Sequence, residues 1–473
     1  MTGMGTLADA NPPIPLGALD GRYRRAVAPL VDHLSEAALN RSRVHVEVEW
    51  LIHLTTQGTV PGVRALTADE IAALRRVVAD FGPADVAELA AIERETVHDV
   101  KAVEYYLKRR LARICPEPVD AGLGEMVHFA CTSEDVNNLS YAVMVRGAVR
   151  EVWLPAATAL TDQIAGLAKS LGDIPMLART HGQPATPTTL GKELAVLAWR
   201  LRRQLDKVAG AAYLGKLNGA TGTYGAHLAA VPGADWQEVS RTFVEHLGLT
   251  WNPLTTQIES HDWQAELYAD LARFNRVLHN LCTDVWTYIS LGYFAQVRGQ
   301  GSVGSSTMPH KVNPIRFENA EANLELSCAL LDVLGSTLVT SRLQRDLTDS
   351  SMQRNIGAAF GHAMVALDNV SRGLAGLDAV PEAMAADLDA NWEVLGEAVQ
   401  SAMRALAAAG VPGMDAPYER LKELTRGRRI TGADLREFVR GLALPADVES
   451  RLLALTPATY VGLAPSLVAH LDR

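Results

Sequence analysis

The stretch from Gly299 to Glu318, GQGSVGSSTMPHKVNPIRFE, holds the chain's densest set of residues able to do chemistry. Ser305 and Ser306 supply hydroxyls and Lys311 a cation. Asn313 and Pro314 read as the N-cap and first residue of a following helix. N–H groups at a helix start together with an ammonium form a cradle for an anion. Gly299, Gly301 and Gly304 spell GxGxxG, but a dinucleotide site needs a strand before that motif, and here a long helical pattern precedes it. Lys311 is followed by Val312 rather than Ser or Thr, so the stretch is not a Walker loop either. Taken alone, this composition fits a mobile surface loop equally well.

Four further stretches carry candidate groups. In RTHGQPATPT, Arg179 to Thr188, His181 lies in a Pro-rich turn between two helical patterns. Imidazole titrates near neutral pH and suits acid–base work, although a lone loop histidine is more often simply solvated. TVHDVKAVEY brings His98, Asp99 and Lys101 close together, where a solvated helix face is the alternative. In FACTSEDVNNLS, Thr132 or Ser133 caps a helix, a role compatible with binding. SRLQRDLTDSSMQRN concentrates Arg342, Arg345 and Arg354, which hints at anion recognition.

The elements that must position these groups are helical. Apolar residues recur at 3–4 spacing through Leu267, Leu271, Phe274, Leu278, Leu281, Val285 and Tyr288 to Gly292, and again from Leu190 to Leu205. Long helices are also expected over Pro314–Thr340, over Ser350–Leu377, and over Asp135–Leu171 with a bend at Pro155. Val44 to Glu49 alternates like a strand, but its flanks are helical and helix is the expectation. The pattern predicts an all-α protein with an elongated long-helix bundle flanked by two smaller helical domains. Expected boundaries are a flexible extension over 1–17, an N-terminal domain over 18–120, the central bundle over 121–366 and a C-terminal domain over 367–473.

Composition excludes several classes. Lys plus Arg total 44 against 54 Asp plus Glu, for a net charge of −10, which disfavours nucleic-acid binding and confines any anion site to a local basic pocket. The four cysteines form no CxxC pair and offer no zinc site, which fits a reducing compartment. No apolar run is long enough to span a membrane, and the first residues lack the pattern of a secretory signal. A cytoplasmic protein without a metal is expected.

The motifs together resemble the fumarase/aspartase superfamily through GSSTMPHKVNP. Within it the chain is similar to the bacterial adenylosuccinate lyase family through LDGRYR, HDVKAVEY, CTSEDVNNLS, RTHGQPATP, TTQIE, QRDLTDS and YERLKELTRGRR, from about Leu19 to Arg429. The resemblance implies β-elimination of fumarate from adenylosuccinate and from the carboxamide nucleotide SAICAR, with no cofactor. It implies His181 as the acid and Ser305 as the base, with Lys311 and Asn313 stabilising the carboxylate that takes up charge. It implies substrate contacts at Arg22, Tyr23, Val97, His98, Asp99, Thr132, Ser133, Gln257, Ser306, Val312, Asn319 and Arg345. Ser350, Ser351, Met352, Gln353 and Arg354 complete that set. Val97 stands where relatives often carry Asn, and Tyr141 where His is more usual. The alternatives are a superfamily lyase acting on argininosuccinate or aspartate, or an inactive helical scaffold.

Assembly follows from chain geometry. About 35 helical residues at 1.5 Å each separate Thr132–Ser133 from His181 by roughly 50 Å, too far for one small ligand. The blocks must therefore meet across subunits, as in the homotetramer that the resemblance implies.

Overall fold

The computed structural model describes residues 15–115, 121–296, 312–425 and 430–472. The chain forms two compact units: Met1–Ala157, Gln204–Arg276 and Asn323–Ala366 make the first, and Thr158–Arg203, Val277–Ala322 and Leu367–Arg473 the second. Each passage of the chain from one unit to the other falls within a helix. The architecture is all-α; the strands among the described residues form three two-stranded ribbons.

The helix Glu36–Gln57 runs through the first unit's core. Ser35 caps it, accepting from Ala38 N at 3.1 Å, and Gly58 ends it in the left-handed region. The strand-like Val44–Glu49 stretch is helical, as expected, and the structure explains the alternation. Val44, Val46 and Val48 are buried, and so are Glu47 and Glu49, so apolar packing surrounds the helix on more than one side. The two carboxylates have partners: Glu47 holds His128, and Glu49 holds Arg75 at 2.8 Å. Val44, Val48 and Leu51 join Leu74, Val103, Tyr106 and Leu107 in one cluster.

The long helix expected from Asp135 is present, but it changes pitch. It runs as α-helix over Ser133–Gly147, as π-helix over Ala148–Trp153 and as α-helix again over Leu154–Ser170. The Leu154 N–H reaches Val149 O, five residues back. Pro155 has no N–H to donate, and the ladder rearranges just before it. Two other expectations shift. The helix expected to start at Pro314 has Pro314 itself at the cap, its carbonyl accepting from Phe317 N at 3.0 Å, and spans Ile315–Leu338. The single helix expected from Ser350 is two, Thr348–Gln353 and Ile356–Ala375. Asn355 separates them: its carbonyl accepts from Ala358 and Ala359, and its side chain turns back to Ser351 O.

In the second unit, the turn around His181 is the tip of a β-hairpin. Pro175–Thr180 pairs antiparallel with Gln183–Thr189, and Thr180 faces Gln183 across a two-residue loop. His181 and Gly182 have φ of 53° and 73°, the backbone of a type I′ turn, whose twist matches that of paired strands. Arg179 is tied to Asp387, which also accepts from Tyr293, and Leu177 packs with Leu388 and Val394. At the base, Leu190 N bonds Ile174 O at 3.0 Å and Gly191 N bonds Leu171 O at 3.0 Å.

Gly191 is a tight contact at that base. A Cβ there would run into Ala168 O and the Gly172 backbone, neither of which can move as a side chain would. Gly191→Ala should therefore lower stability by about 1–3 kcal/mol, read as a fall in thermal midpoint. A variant that melts like the wild type would show that the junction is looser than its geometry.

Candidate active site

Several sequence candidates converge in the first unit. His98 caps the helix Asp99–Ile114, its Nδ1 accepting from Lys101 N at 3.2 Å. Asp99 follows it and accepts from Arg43 at 2.8 Å and from Arg354 at 3.3 Å. Arg354 also reaches Glu36 at 3.0 Å. Arg43 continues to Asn137 at 2.9 Å, and Asn137 donates to Glu134 at 2.7 Å. Glu134 takes the Arg345 guanidinium at 2.8 Å, which also donates to Ser350 Oγ at 3.0 Å. Asp349 lies 3.8 Å from Arg345 and 3.9 Å from His261, and Gln353 accepts from Gln264 at 3.2 Å. One polar chain thus links Arg345 to Arg354 through the first turns of the helix Ser133–Gly147.

The carboxylates in this chain titrate in opposite directions. Burial pushes Asp99 up, but Arg43, the Val100 N–H and Arg354 together hold it below the ordinary carboxylate range. Asp349 is likewise pushed up by burial and brought below its ordinary value by His261 and Arg345. Glu134 is nearly inaccessible, and there burial prevails over Arg345 and raises it.

Thr132 precedes this helix, and its N–H bonds Asp135 at 2.8 Å; Ser133 is the first helical residue. Gln257 donates to Ala220 O at 2.8 Å. Arg22 is exposed and Tyr23 half-buried, next to the short helix Arg24–Val27. Val97 is 89% exposed with φ of 54°, a left-handed backbone that a β-branched side chain tolerates poorly. Ser351 is exposed and Met352 half-buried on the helix Thr348–Gln353. The second unit holds His181 at its hairpin tip, Val312, whose carbonyl accepts from Gln296 at 2.8 Å, exposed Asn313 and half-buried Asn319. Ser305, Ser306 and Lys311 lie outside the described residues.

Sequence reasoning missed the residues that hold the arginines. Glu134, Asn137 and Asp349 lay inside recognised strings, between residues given roles. Glu36, Arg43 and His261 gave no local signal. Arg43 is a buried cation on a core helix, visible only once its partners Asp99 and Asn137 are placed.

A family model described as lyase matches residues 21–328, and one described as adenylosuccinate lyase C-terminal matches 341–461. Two solved structures show the same fold. A fumarate lyase from Mesorhizobium sp. BNC1 has a TM-score of 0.73 at 20% identity, covering 94% of this chain and 97% of that one. A 3-carboxy-cis,cis-muconate lactonizing enzyme from Pseudomonas putida has 0.72 at 21%, covering 94% and 96%. The family model and the fold together define the class, an all-α lyase with a fumarase/aspartase-like fold. Adenylosuccinate lyase from Escherichia coli (strain K12) is 49% identical over 453 residues, 96% of this chain and 97% of its own. Those of Vibrio cholerae and Haemophilus influenzae are 47% and 46% identical, covering 96% and 97% of this chain and 98% of each relative. The chain belongs to the adenylosuccinate lyase family.

The depressed Asp99 gives a pH prediction. A carboxyl held below its unfolded value stabilises the fold above that value, and the contribution is lost as pH falls through the folded one. Asp99→Asn should cost about 2 kcal/mol at neutral pH, and the gap from wild type should close as pH drops below about 4. Thermal melts of both proteins from pH 7 to pH 3 measure it; a gap constant with pH would remove Asp99 from the ionic network.

Proposed function

We propose that the protein cleaves adenylosuccinate to AMP and fumarate, and SAICAR to AICAR and fumarate, in purine nucleotide synthesis. The observation that carries this reading is the 49% identity to the Escherichia coli lyase across 96% of the chain. Support comes from the C-terminal match, which contains Arg345, Ser350 and Arg354, three members of the polar network.

The reaction is an elimination. A base removes a proton from the carbon beside one succinyl carboxylate. The electron pair moves into that carboxylate, then returns to form the C=C bond and expel the nitrogen, which an acid protonates. In this reading Ser305 is the base and His181 the acid. A serine alkoxide forms only where cationic groups or N–H donors stabilise it, a role assigned to Lys311, which with Asn313 also holds the charged carboxylate. The hairpin supports the role of His181, because it displays the imidazole at an exposed tip on a braced arm.

Thr132 and Ser133 are read as gripping the succinyl carboxylates, and His98 and Asp99 as lying near the phosphate and the transferred group. Arg22, Tyr23, Gln257, Ser306 and Asn319 supply further contacts. Arg345 and Arg354 meet the substrate's anionic groups. They are paired with Glu134, Asp99 and Glu36, so an anionic substrate competes with those carboxylates. A homotetramer whose sites each draw on several chains completes the reading, in the cytoplasm. The helical run from Ser133 to Ser170, which stands between Thr132 and the His181 hairpin along the chain, supports it.

Purified protein with adenylosuccinate should release AMP and fumarate. Ser305→Ala and His181→Ala should each lose about 10²–10⁴ in kcat. Refolded together they should regain partial activity, because some mixed sites receive both intact residues. Verified mixed oligomers without recovery would sink the shared site, and a monomer in light scattering would sink it sooner.

Arg345→Ala and Arg354→Ala should raise KM about tenfold or more, and added salt should raise the wild-type KM. Wild-type KM in both variants would remove these arginines from the site.

A further inference from the structure

Beneath Thr132 and Ser133 lies a charge pair that the elimination itself does not use. Asp135 and Lys216 are both completely buried, with Nζ 2.8 Å from Oδ1. Asp135 also accepts three backbone N–H groups: Thr132 at 2.8 Å, Asn218 at 3.0 Å and Gly219 at 3.1 Å. Asn138, one turn along the same helix, locks both backbone groups of Lys216, accepting from its N at 2.9 Å and donating to its O at 3.0 Å.

The bolted segment leads directly to another candidate contact. Asn218 donates to Thr255 Oγ1 at 2.8 Å, and Gln257 donates to Ala220 O at 2.8 Å. Gly219 and Gly222 have φ of 82° and 69°, and a Cβ on Gly222 would strike the Thr255 carbonyl. The chain is thus folded tightly between the helix start and the Thr255–Gln257 loop.

A helix cap needs only the Thr132 bond. A fully buried ion pair is costly to desolvate, and an apolar pair of similar volume would hold two segments together at least as well. An ionic hub with several directional donors adds fixed placement instead.

We propose that Asp135 and Lys216 are positioning residues for the elimination. They hold Thr132–Ser133 and the Gln257-bearing loop in a single register, acting through the Thr132, Asn218 and Gly219 N–H groups. This inference rests on the proposed reading of Ser133 as a substrate contact.

The test is a mutant cycle on the full-length enzyme with adenylosuccinate. It compares Ser133→Ala, Asp135→Asn, Lys216→Met and the two doubles that include Ser133→Ala. Lys216→Met keeps the side-chain volume and leaves the Asp135 backbone bonds, so one arm survives if Asp135→Asn misfolds. Each hub variant should raise KM about tenfold with a smaller change in kcat. In the Ser133→Ala background the added rise should be several-fold smaller than in the wild type, because the part of the hub's effect that runs through Ser133 is already gone, while the part that runs through Thr132 and the Gln257 loop remains. Full additivity, or hub variants with wild-type KM, overturns the inference alone. A Ser133→Ala enzyme with wild-type KM overturns the reading of Ser133, and the inference with it.

Discussion

A guanidinium taken largely out of water needs a partner to hold it in place. In a chain of net charge −10 this is done with carboxylates. Arg345 rests on Glu134, Arg354 on Asp99 and Glu36, and Arg43 bridges the two groups by way of Asn137. Unpaired, the buried Arg43 and the half-buried Arg345 would carry a large desolvation cost. Pairing offsets that cost, but any anion proposed to bind these arginines then competes with the carboxylates. The surrounding elements fit this compromise. The helix Glu36–Gln57 brings Arg43, the start of the helix Ser133–Gly147 brings Glu134 and Asn137, and the break at Asn355 leaves Arg354 at the end of the short helix Thr348–Gln353.

The raised Glu134 and the depressed Asp99 express the same geometry. Glu134 is sealed off and has one cation, so burial outweighs attraction. Asp99 is nearer solvent and faces two arginines and a backbone N–H, so attraction prevails. The network therefore carries two carboxylates, Asp99 and Asp349, that give up their protons readily and one, Glu134, that holds its proton more tightly.

The long helices were legible because apolar spacing of three and four residues reports a buried face wherever the helix has one. Val44–Glu49 was harder, since burial on several sides erases that contrast, and only the flanks favoured helix. From sequence the hairpin at His181 reads as a turn without strands, because Pro175, Pro184 and Pro187 argue against strands and the arms show no regular apolar–polar alternation. The break at Asn355 depends on a side chain choosing the backbone behind it, which composition does not reveal. In the site, residues in dense motifs were visible, whereas Arg43 and Glu36 were not. Their importance comes from partners more than fifty positions away.

The π segment at Ala148–Trp153 has a consequence for how this helix tolerates changes in length. A π turn accommodates one residue more than an α turn over nearly the same rise. Removing one residue there lets the ladder close as α-helix with the faces before and after still in phase. Removing one elsewhere between Ser133 and Ser170 rotates everything beyond it by about 100° and turns its buried side toward solvent. The segment is thus the one stretch of this helix where an ancestral insertion could be absorbed without dephasing its ends.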